Sequence, residues 1–171
     1  TATLYFQDIR LPAQQMLGEE NQGFLSAMHN FNMERLSMAA NSLGSCKLLR
    51  DEAWRYASER ETFGKKLLSH QAIRHKLVEM TSRIASLQAY LEKVCWQVNE
   101  GQSAVADISM LKVQATTVLE FCAREASQIL GGASYLRGNP VERIYREVRV
   151  MAIGGGSEEI LRDLASRQMG M

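Results

Sequence analysis

The sequence predicts an all-α protein whose main domain is an antiparallel four-helix bundle. Only two prolines occur, Pro12 and Pro140, so almost every residue between them is free to be helical. Long segments of the chain carry apolar residues at helical spacings, and the connections between these segments are short. Long amphipathic helices that are joined by short connections pack side by side in opposite directions.

The first 22 residues differ from the rest of the chain. Residues 1–10 are β-prone and partly alternate between apolar and polar side chains, which predicts one or two strands. Residues 11–23 are typical of a loop. The sequence therefore predicts a short β-prone N-terminal remnant over residues 1–22, followed by a helical bundle domain over residues 23–171.

The first predicted helix extends from Gly23 to Glu59. Its apolar and small residues recur at spacings of three, four and their multiples, which indicates a helix of about nine turns. The residues of this stripe are Phe24, Met28, Phe31, Met38, Ser42, Leu49 and Tyr56. The length of this helix exceeds that of the usual globular helix.

The second helix has the most regular pattern in the chain. Its apolar residues form an unbroken a/d seam, in which spacings of four and three alternate. The seam consists of Ile73, Leu77, Met80, Ile84, Leu87, Leu91, Val94 and Val98. Gly101 follows soon after it, and a glycine at that place can end a helix by taking a positive φ.

Three further helices are predicted in the C-terminal part. One begins near Val105 and ends at Gly131 and Gly132, and a short one covers residues 141–151, just after a proline. The last helix begins after Ser157, whose hydroxyl is a preferred N-cap. Two carboxylates follow this serine, so a phosphate group would be repelled there.

Composition limits the range of partners. Lys and Arg number 20 and Asp and Glu 19, a net charge of +1, so no overall field attracts nucleic acid or an anionic membrane. No apolar run approaches the roughly 20 residues that cross a bilayer, and no signal-peptide order marks the N-terminus. We expect no nucleic-acid partner, no membrane span, and a cytoplasmic location in bacteria or a mitochondrial-matrix location.

Cysteine and histidine spacing argues against disulfide and metal sites. Cys46, Cys95 and Cys122 are odd in number and far apart, so we interpret them as reduced core residues. The chain has no Glu-x-x-His, and His70 and His75 are five residues apart, which places them on different faces of a helix. The sequence therefore predicts no metal site.

Four separated blocks carry a family resemblance. They are residues 23–35 (GFLSAMHNFNMER), 56–71 (YASERETFGKKLLSHQ), 128–140 (QILGGASYLRGNP) and 153–160 (IGGGSEEI). In this order they resemble the C-terminal half of the acyl-CoA dehydrogenases. The resemblance implies that residues 1–22 end a middle β domain and its linker. It also implies that residues 23–171 form the C-terminal helical domain of a homodimer or homotetramer.

The resemblance also implies an FAD site. Arg60 matches the arginine that contacts the FAD pyrophosphate across the dimer interface, a role that suits a guanidinium group. In the alternative interpretations, Arg60 only caps the long helix, and Gly131 and Gly132 only end theirs. The full set of implied cofactor-binding residues is Arg60, Phe63, Gln71, Gln128, Gly131, Gly132, Ser157 and Glu159.

The position of the catalytic base separates this sequence from many relatives. Where the family pattern is Tyr-Glu-Gly-Thr and the Glu takes the α-proton, this chain has Gly154-Gly155-Gly156-Ser157. A subgroup that includes isovaleryl-CoA and long-chain acyl-CoA dehydrogenases instead carries the base in a Glu-Arg pair of the first long helix. Glu34 and Arg35 match that pair. In the alternative interpretation, Glu34 and Arg35 are structural ion-pair partners of other residues.

By the same resemblance, Glu34 is the base and the backbone N–H of Gly155 polarises the thioester carbonyl. Phe31, Arg35 and Gly154 are the implied substrate-binding residues. Glu34 lies between Phe31 and Met38 at helical spacing, so we also expect its side chain to border the apolar stripe.

The implied reaction is the α,β-dehydrogenation of an acyl-CoA thioester to the trans-2-enoyl-CoA, with electron-transfer flavoprotein as electron acceptor. We expect the chain alone to be inactive, because the domain that would cover the flavin is absent from it. Two alternatives have other functions: a noncatalytic helical module that assembles with partners, and a related flavoprotein oxidase.

Overall fold

A computed structural model describes residues 2–171 of the chain and confirms the all-α class. Its five α-helices are α1 (Gly23–Glu59), α2 (Gln71–Asn99), α3 (Val105–Leu130), α4 (Pro140–Ile153) and α5 (Glu158–Gln168). Each begins and ends within a few residues of its predicted limits. The three long helices and the shorter pair α4 and α5 together form the bundle.

The central element of the bundle is α3, which packs against each of the other four helices. Because it is covered on all sides, it is apolar around most of its circumference. The core between the helices is formed by fully buried side chains such as Leu49 of α1, Leu87 of α2 and Leu111 of α3. None of the helices within residues 2–171 is long and apolar enough to cross a bilayer.

The structure confirms the a/d seam of α2 as its buried face. Leu77, Met80, Ile84, Leu87 and Val94 are buried against α1 and α3. Only the ends of the seam and Leu91 remain half-buried. A strict heptad pattern thus predicted the orientation of this helix correctly.

The expected strands in residues 1–10 are wrong for every residue that the structure describes. Residues 2–10 form no strand, and a single 3₁₀ turn follows at Ala13–Gln15. A strand needs a hydrogen-bonded neighbour, and within residues 2–171 no segment pairs with these residues. Their β-prone side chains, among them Tyr5 and Phe6, are exposed. Local propensity therefore did not decide their conformation.

The apolar stripe of α1 is exposed at its N-terminal end. The helix begins at Gly23 as predicted, but its first buried side chain is Arg35. Phe24 and Leu25 are 73% and 63% exposed, because no other described helix covers the first turns of α1. Apolar spacing predicted the helix here but could not predict what covers it.

The cysteines are free thiols in the described part of the chain, as predicted. Cys46 and Cys122 lie in the core where α1 meets α3, and Cys95 is half-buried. A hydrogen bond with Cys122, together with burial, raises the pKa of the Cys46 thiol far above its ordinary value. This thiol is therefore protonated and packs as a small apolar residue.

A polar network joins the C-terminal half of α2 to the first turn of α3. The Asp107 carboxylate accepts hydrogen bonds from Tyr90 Oη at 3.0 Å, Lys93 Nζ at 3.2 Å and Gln97 Nε2 at 3.1 Å. Burial acts to raise the pKa of Asp107, but these hydrogen bonds outweigh it and lower the pKa below its usual value. The charged form of Asp107 is therefore favoured in the folded chain.

We predict that Asp107→Asn lowers the free energy of unfolding by about 1–2 kcal/mol at pH 7, since it removes the charge that three donors surround. A carboxylate with a lowered folded pKa stabilises the fold fully above its unfolded pKa of about 3.9 and loses this effect as the pH falls through the folded pKa. The difference between wild type and Asp107→Asn should therefore shrink in acid.

Urea unfolding at pH 7 and in steps below pH 4 measures this difference. Asp163→Asn is the matched control, because Asp163 forms only an exposed ion pair with Arg167, and such pairs contribute little. A difference between wild type and Asp107→Asn that stays constant down to the lowest pH would contradict the prediction.

Candidate functional site: a glycine loop and a hairpin

The loop between α4 and α5 consists of three glycines and Ser157. Gly155 and Gly156 have φ values of +69° and +115°, a region that side-chain-bearing residues seldom adopt. A Cβ atom on Gly155 would lie 3.0 Å from Met38 Sδ of α1. Ser157 then caps α5 by accepting a hydrogen bond from the Ile160 N–H, as predicted. The loop conformation and its contact with α1 therefore both depend on glycine.

Arg35 connects α1 to this loop. Its Nε donates a hydrogen bond to Gly155 O at 2.8 Å, and its Nη1 donates to Asn32 Oδ1 at 3.2 Å. The guanidinium carbon also lies 5.6 Å from the centre of the Phe31 ring. Burial lowers the pKa of Arg35, and the nearby Glu34 opposes this effect. Within residues 2–171 Arg35 forms no ion pair, so its buried charge is directed to the loop backbone and not to a carboxylate.

Lys112 of α3 contacts the loop from the other side. It is fully buried, and its Nζ donates hydrogen bonds to Ala152 O at 3.0 Å and Gly156 O at 2.9 Å. Burial lowers the pKa of Lys112, and Arg35 adds to this effect, while Glu158 opposes it. No motif in the sequence marks Lys112. The only signal was a lysine between Leu111 and Val113 in an otherwise apolar part of the helix.

The loop leaves one backbone donor unpaired. The N–H of Gly154 donates to Val150 O at 2.8 Å, and the N–H of Gly156 donates to Ile153 O at 3.3 Å. The N–H of Gly155 has no hydrogen-bond partner among residues 2–171. A polar hydrogen in this position is available to a ligand oxygen.

Glu34 lies next to the loop contact on α1. It precedes Met38 by one helical turn, and Met38 contacts Gly154 and Gly155. The Glu34 carboxylate accepts a hydrogen bond from Asn30 Nδ2 at 2.8 Å and forms no ion pair within the described residues. Its side chain is exposed, which corrects the expectation that it borders a buried stripe. The reason is that no other described helix covers the first turns of α1.

A second group of candidate residues lies where α1 meets α2. After α1, a hairpin of β1 (Glu61–Thr62) and β2 (Lys65–Lys66) is closed by Phe63 and Gly64. The φ values of these two residues are +51° and +76°, the signature of a type I′ turn. No sequence pattern predicted this hairpin, because strands of two residues are too short to show alternation.

Phe63 in this hairpin is strained and unburied. A positive φ costs a residue with a side chain about 1–2 kcal/mol, and the Phe63 side chain is 97% exposed. Neither feature stabilises this chain by itself. Strained residues cluster at functional sites, which makes Phe63 a candidate for a contact with a ligand or a partner.

Arg60 ends α1 through its backbone and leaves its side chain free. Its N–H donates to Tyr56 O and its carbonyl accepts from the Leu67 N–H. Within residues 2–171 its guanidinium group makes no hydrogen bond and no ion pair. Gln71 is the first residue of α2 and is also exposed. The interpretation of Arg60 as a side-chain cap of the helix therefore has no support in these contacts.

The end of α3 holds the third group. Gly131 has a φ of +58° at the C-cap, which by itself explains a glycine as a helix stop. Gly132 has no positive φ, and a Cβ atom there would meet nothing within 4 Å, so nothing in this chain explains that glycine. Gln128 is exposed one turn earlier. This end of α3 is an open surface on which a ligand can approach the backbone.

Glu159, in the first turn of α5, is an unfavourable neighbour for a phosphate ligand. Its carboxylate is exposed, and hydrogen bonds from its own N–H and from Ser157 lower the pKa of Glu159. The negative charge is therefore stable at the start of α5, and Ser157 is already used as the cap. These two residues contribute polar atoms to the loop region but no positive charge.

The candidate residues thus form three groups. Glu34, Arg35 and the glycine loop form the loop cluster, the hairpin with Arg60 forms the second group, and the end of α3 forms the third. Arg35 and Arg60 are separated by most of α1, which at the helical rise corresponds to about 37 Å.

Known proteins resemble this chain in sequence. Residues 21–170 match the family model described as acyl-CoA dehydrogenase, C-terminal domain. The chain is 35% identical to the mitochondrial long-chain specific acyl-CoA dehydrogenase of Mus musculus, over 99% of this chain and 39% of that protein. The chain spans about two fifths of the length of this relative.

Solved structures have the same fold. Butyryl-CoA dehydrogenase from Megasphaera elsdenii matches with a TM-score of 0.93 and 32% identity, covering 97% of this chain and 43% of that one. The structure of PigA with FAD and proline matches with a TM-score of 0.91 and 25% identity, covering 96% of this chain and 43% of that one.

Proposed function

The chain belongs to the acyl-CoA dehydrogenase family, and from this premise we propose that it is the C-terminal part of an FAD-dependent enzyme that dehydrogenates acyl-CoA thioesters. The observation that carries the proposal is the unpaired N–H of Gly155, in a loop whose carbonyl oxygens accept hydrogen bonds from two buried cations, Arg35 of α1 and Lys112 of α3. Residues 1–22 are then the end of the middle β domain and its linker.

Substrate activation begins at the loop. The Gly155 N–H donates a hydrogen bond to the thioester oxygen, which stabilises negative charge on that oxygen and so makes the α-proton more acidic. Gly154 and Phe31 flank the same space. Arg35 supports the loop through Gly155 O, so it acts on the substrate through the backbone and through the positive charge it places nearby.

Glu34 is the proposed base. Its carboxylate is free of ion pairs within the described chain, and α1 brings it to the side of the loop where Met38 touches Gly155. The family resemblance implies that a Glu at the position of Gly155 acts on the same α-proton in other members. This explains how a base on α1 can replace a base in the loop. Glu34 takes the α-proton and holds it as a carboxylic acid.

The chain offers FAD two sets of contacts. Arg60, with its unpaired guanidinium, suits the pyrophosphate, and exposed Phe63 and Gln71 stand beside it. Gln128, Gly131 and Gly132 suit the adenosine portion, because glycine lets a ligand approach the backbone closely. Bound FAD supplies the acceptor for the hydride that leaves the β-carbon, while Glu34 receives the α-proton.

The distance between the clusters supports an oligomer. The family resemblance assigns Arg60 to the FAD of the partner copy, and about 37 Å of α1 separates Arg60 from Arg35 in the loop cluster. Each FAD would then use the loop cluster of one subunit and the hairpin of another, in a homodimer or homotetramer. The predicted cytoplasmic or matrix location and electron-transfer flavoprotein as electron acceptor also stay proposals.

The two alternative functions fit these features less well. A noncatalytic module has no need of an unpaired Gly155 N–H, of a buried Lys112 or of a strained, exposed Phe63. A flavoprotein oxidase could use the same base and loop. It differs in the fate of the electrons, which the reaction with oxygen would reveal.

We predict that the full-length protein, purified with FAD, is bleached under anaerobic conditions by at least one member of a panel of straight and branched acyl-CoAs. Loss of the oxidised-flavin absorbance and formation of the enoyl-CoA measure the reaction. Rapid return of the colour on admitting air would favour the oxidase. A protein that binds no FAD, or whose flavin no acyl-CoA bleaches, would contradict the proposed function.

A further inference from the structure

The glycine loop cannot fix its own shape. Three consecutive glycines lose more backbone entropy on folding than any other residues, and they carry no side chains with which to make contacts. The α4–α5 loop nevertheless has one defined conformation with two positive φ values. Contacts from outside the loop must therefore stabilise it.

Lys112 provides contacts at both ends of this loop. Its hydrogen bond to Ala152 O anchors the last turn of α4, and its hydrogen bond to Gly156 O anchors the final glycine. One ammonium group thus closes the segment 152–156 into a ring. Gly155, with its unpaired N–H, lies within that ring. The position of this N–H is defined relative to α3, the central helix of the bundle.

Burial makes Lys112 a costly way to stabilise the fold. Lysine is almost never fully buried unless it is paired, and within residues 2–171 Lys112 forms no ion pair with a carboxylate. Its charge is instead balanced by carbonyl oxygens at the C-terminal end of α4, where the helix dipole favours a cation. An apolar side chain in this place would avoid the desolvation cost. The charge therefore indicates a purpose other than packing.

We propose that Lys112 is a positioning residue for the reaction: by holding Ala152 O and Gly156 O, it keeps the Gly155 N–H directed to the thioester oxygen. The link to catalysis rests on the proposed function, whereas the link to loop order does not. Arg35 holds Gly155 O from α1, but Lys112 alone bridges both ends of the loop.

Two measurements on Lys112→Met test the proposal, since Met keeps much of the length and removes all donors. The first uses the 171-residue chain and the ¹⁵N order parameter of Gly155. We expect about 0.85 in the wild type and below about 0.6 in Lys112→Met. Thr116→Val is the matched control, because Thr116 is buried on the same helix and bonds only to carbonyls of α3.

The second measurement uses the full-length, FAD-loaded enzyme. Lys112→Met should retain FAD, but saturating acyl-CoA should reduce its flavin at least about tenfold more slowly. The reason is that a Gly155 N–H that is no longer fixed stabilises the transition state less. A 3-thia-acyl-CoA serves as the spectroscopic probe, since its enolate beside oxidised flavin gives a charge-transfer band. This band should weaken in Lys112→Met and persist in Thr116→Val.

The outcomes separate this inference from the proposed function. An unchanged Gly155 order parameter, or wild-type reduction and an undiminished band in Lys112→Met, would overturn the role of Lys112. If Lys112→Met loosens the loop but no acyl-CoA reduces the flavin of the wild type, the positioning role of Lys112 stands and the proposed dehydrogenase function is rejected. If Lys112→Met does not fold, Lys112→Gln, which can satisfy one of the two carbonyls, serves for the same measurements.

Discussion

Replacing Glu34 by Gln in the full-length enzyme is expected to leave FAD and acyl-CoA binding nearly intact while it stops the reduction of the flavin. Gln has almost the same shape as Glu but cannot accept the α-proton. Removal of a general base typically slows a reaction about 10²- to 10⁴-fold. Because the Glu34 side chain makes a single hydrogen bond within residues 2–171, to Asn30 of the same helix, the substitution should have little effect on the fold.

Rapid mixing of the oxidised enzyme with a good acyl-CoA substrate, followed at the flavin band, measures this rate. Glu52→Gln is the matched control, because Glu52 is another carboxylate of α1 that pairs at the surface with Arg55. Wild-type-like reduction by Glu34→Gln would reject Glu34 as the base, and the search would move to residues outside this chain.

A second substitution asks whether the loop can carry the base instead. Adding Gly155→Glu to Glu34→Gln should restore part of the activity, since the family resemblance implies that a base at either position reaches the same α-carbon. The restoration should be small, because Gly155 has a φ of +69° and its Cβ would lie 3.0 Å from Met38 Sδ. Met38→Ala would relieve the steric part of this obstacle and should raise the restored rate.

Arg60→Ala in the full-length enzyme should weaken FAD binding about tenfold to a hundredfold, the value of a charge-assisted contact worth about 1.5–3 kcal/mol. Thermal stability of the protein saturated with FAD should change much less. The reason is that the Arg60 guanidinium has no partner within residues 2–171, while its backbone ends α1 whatever the side chain is.

Arg74→Ala is the matched control for Arg60→Ala. Arg74 lies in the same region, but its Nη1 donates to Ser69 O at 2.6 Å and Leu68 O at 3.4 Å. Its loss should therefore lower stability more than FAD affinity. Flavin retention on dilution and the midpoint of thermal unfolding are both measured for each variant. An Arg60→Ala protein that loses stability and keeps its flavin would support the helix-cap interpretation.

Sequence patterns predicted the helices because each long helix buries a continuous face. The a/d seam of α2 is the best example, with Leu77, Met80, Ile84 and Leu87 all buried. The patterns failed where burial depends on what lies beside a segment. Phe24 has the spacing of a core residue and Tyr5 the propensity of a strand residue, yet both are exposed, since no part of the described chain covers them.

Candidate site residues could be chosen from the sequence only where a motif marks them. The Arg-x-x-Phe-Gly block at residues 60–64 and the Glu34-Arg35 pair are such motifs. Lys112 has no motif, because its partners Ala152 and Gly156 are about 40 positions away in the chain and offer only backbone carbonyls. A contact between a side chain and a distant backbone leaves no pattern in the sequence.

The sequence by itself determined the helical class, the helix limits and the replacement of the usual loop carboxylate by glycine, because periodicity, capping residues and residue identity are local properties. Only the tertiary structure decided that Arg35 and Lys112 both bind the glycine loop and that the Gly155 N–H is left unpaired. These features depend on how α1, α3 and α4 pack together. Packing brings residues from distant parts of the chain into contact, and its energy is shared among many side chains, so no local pattern encodes it.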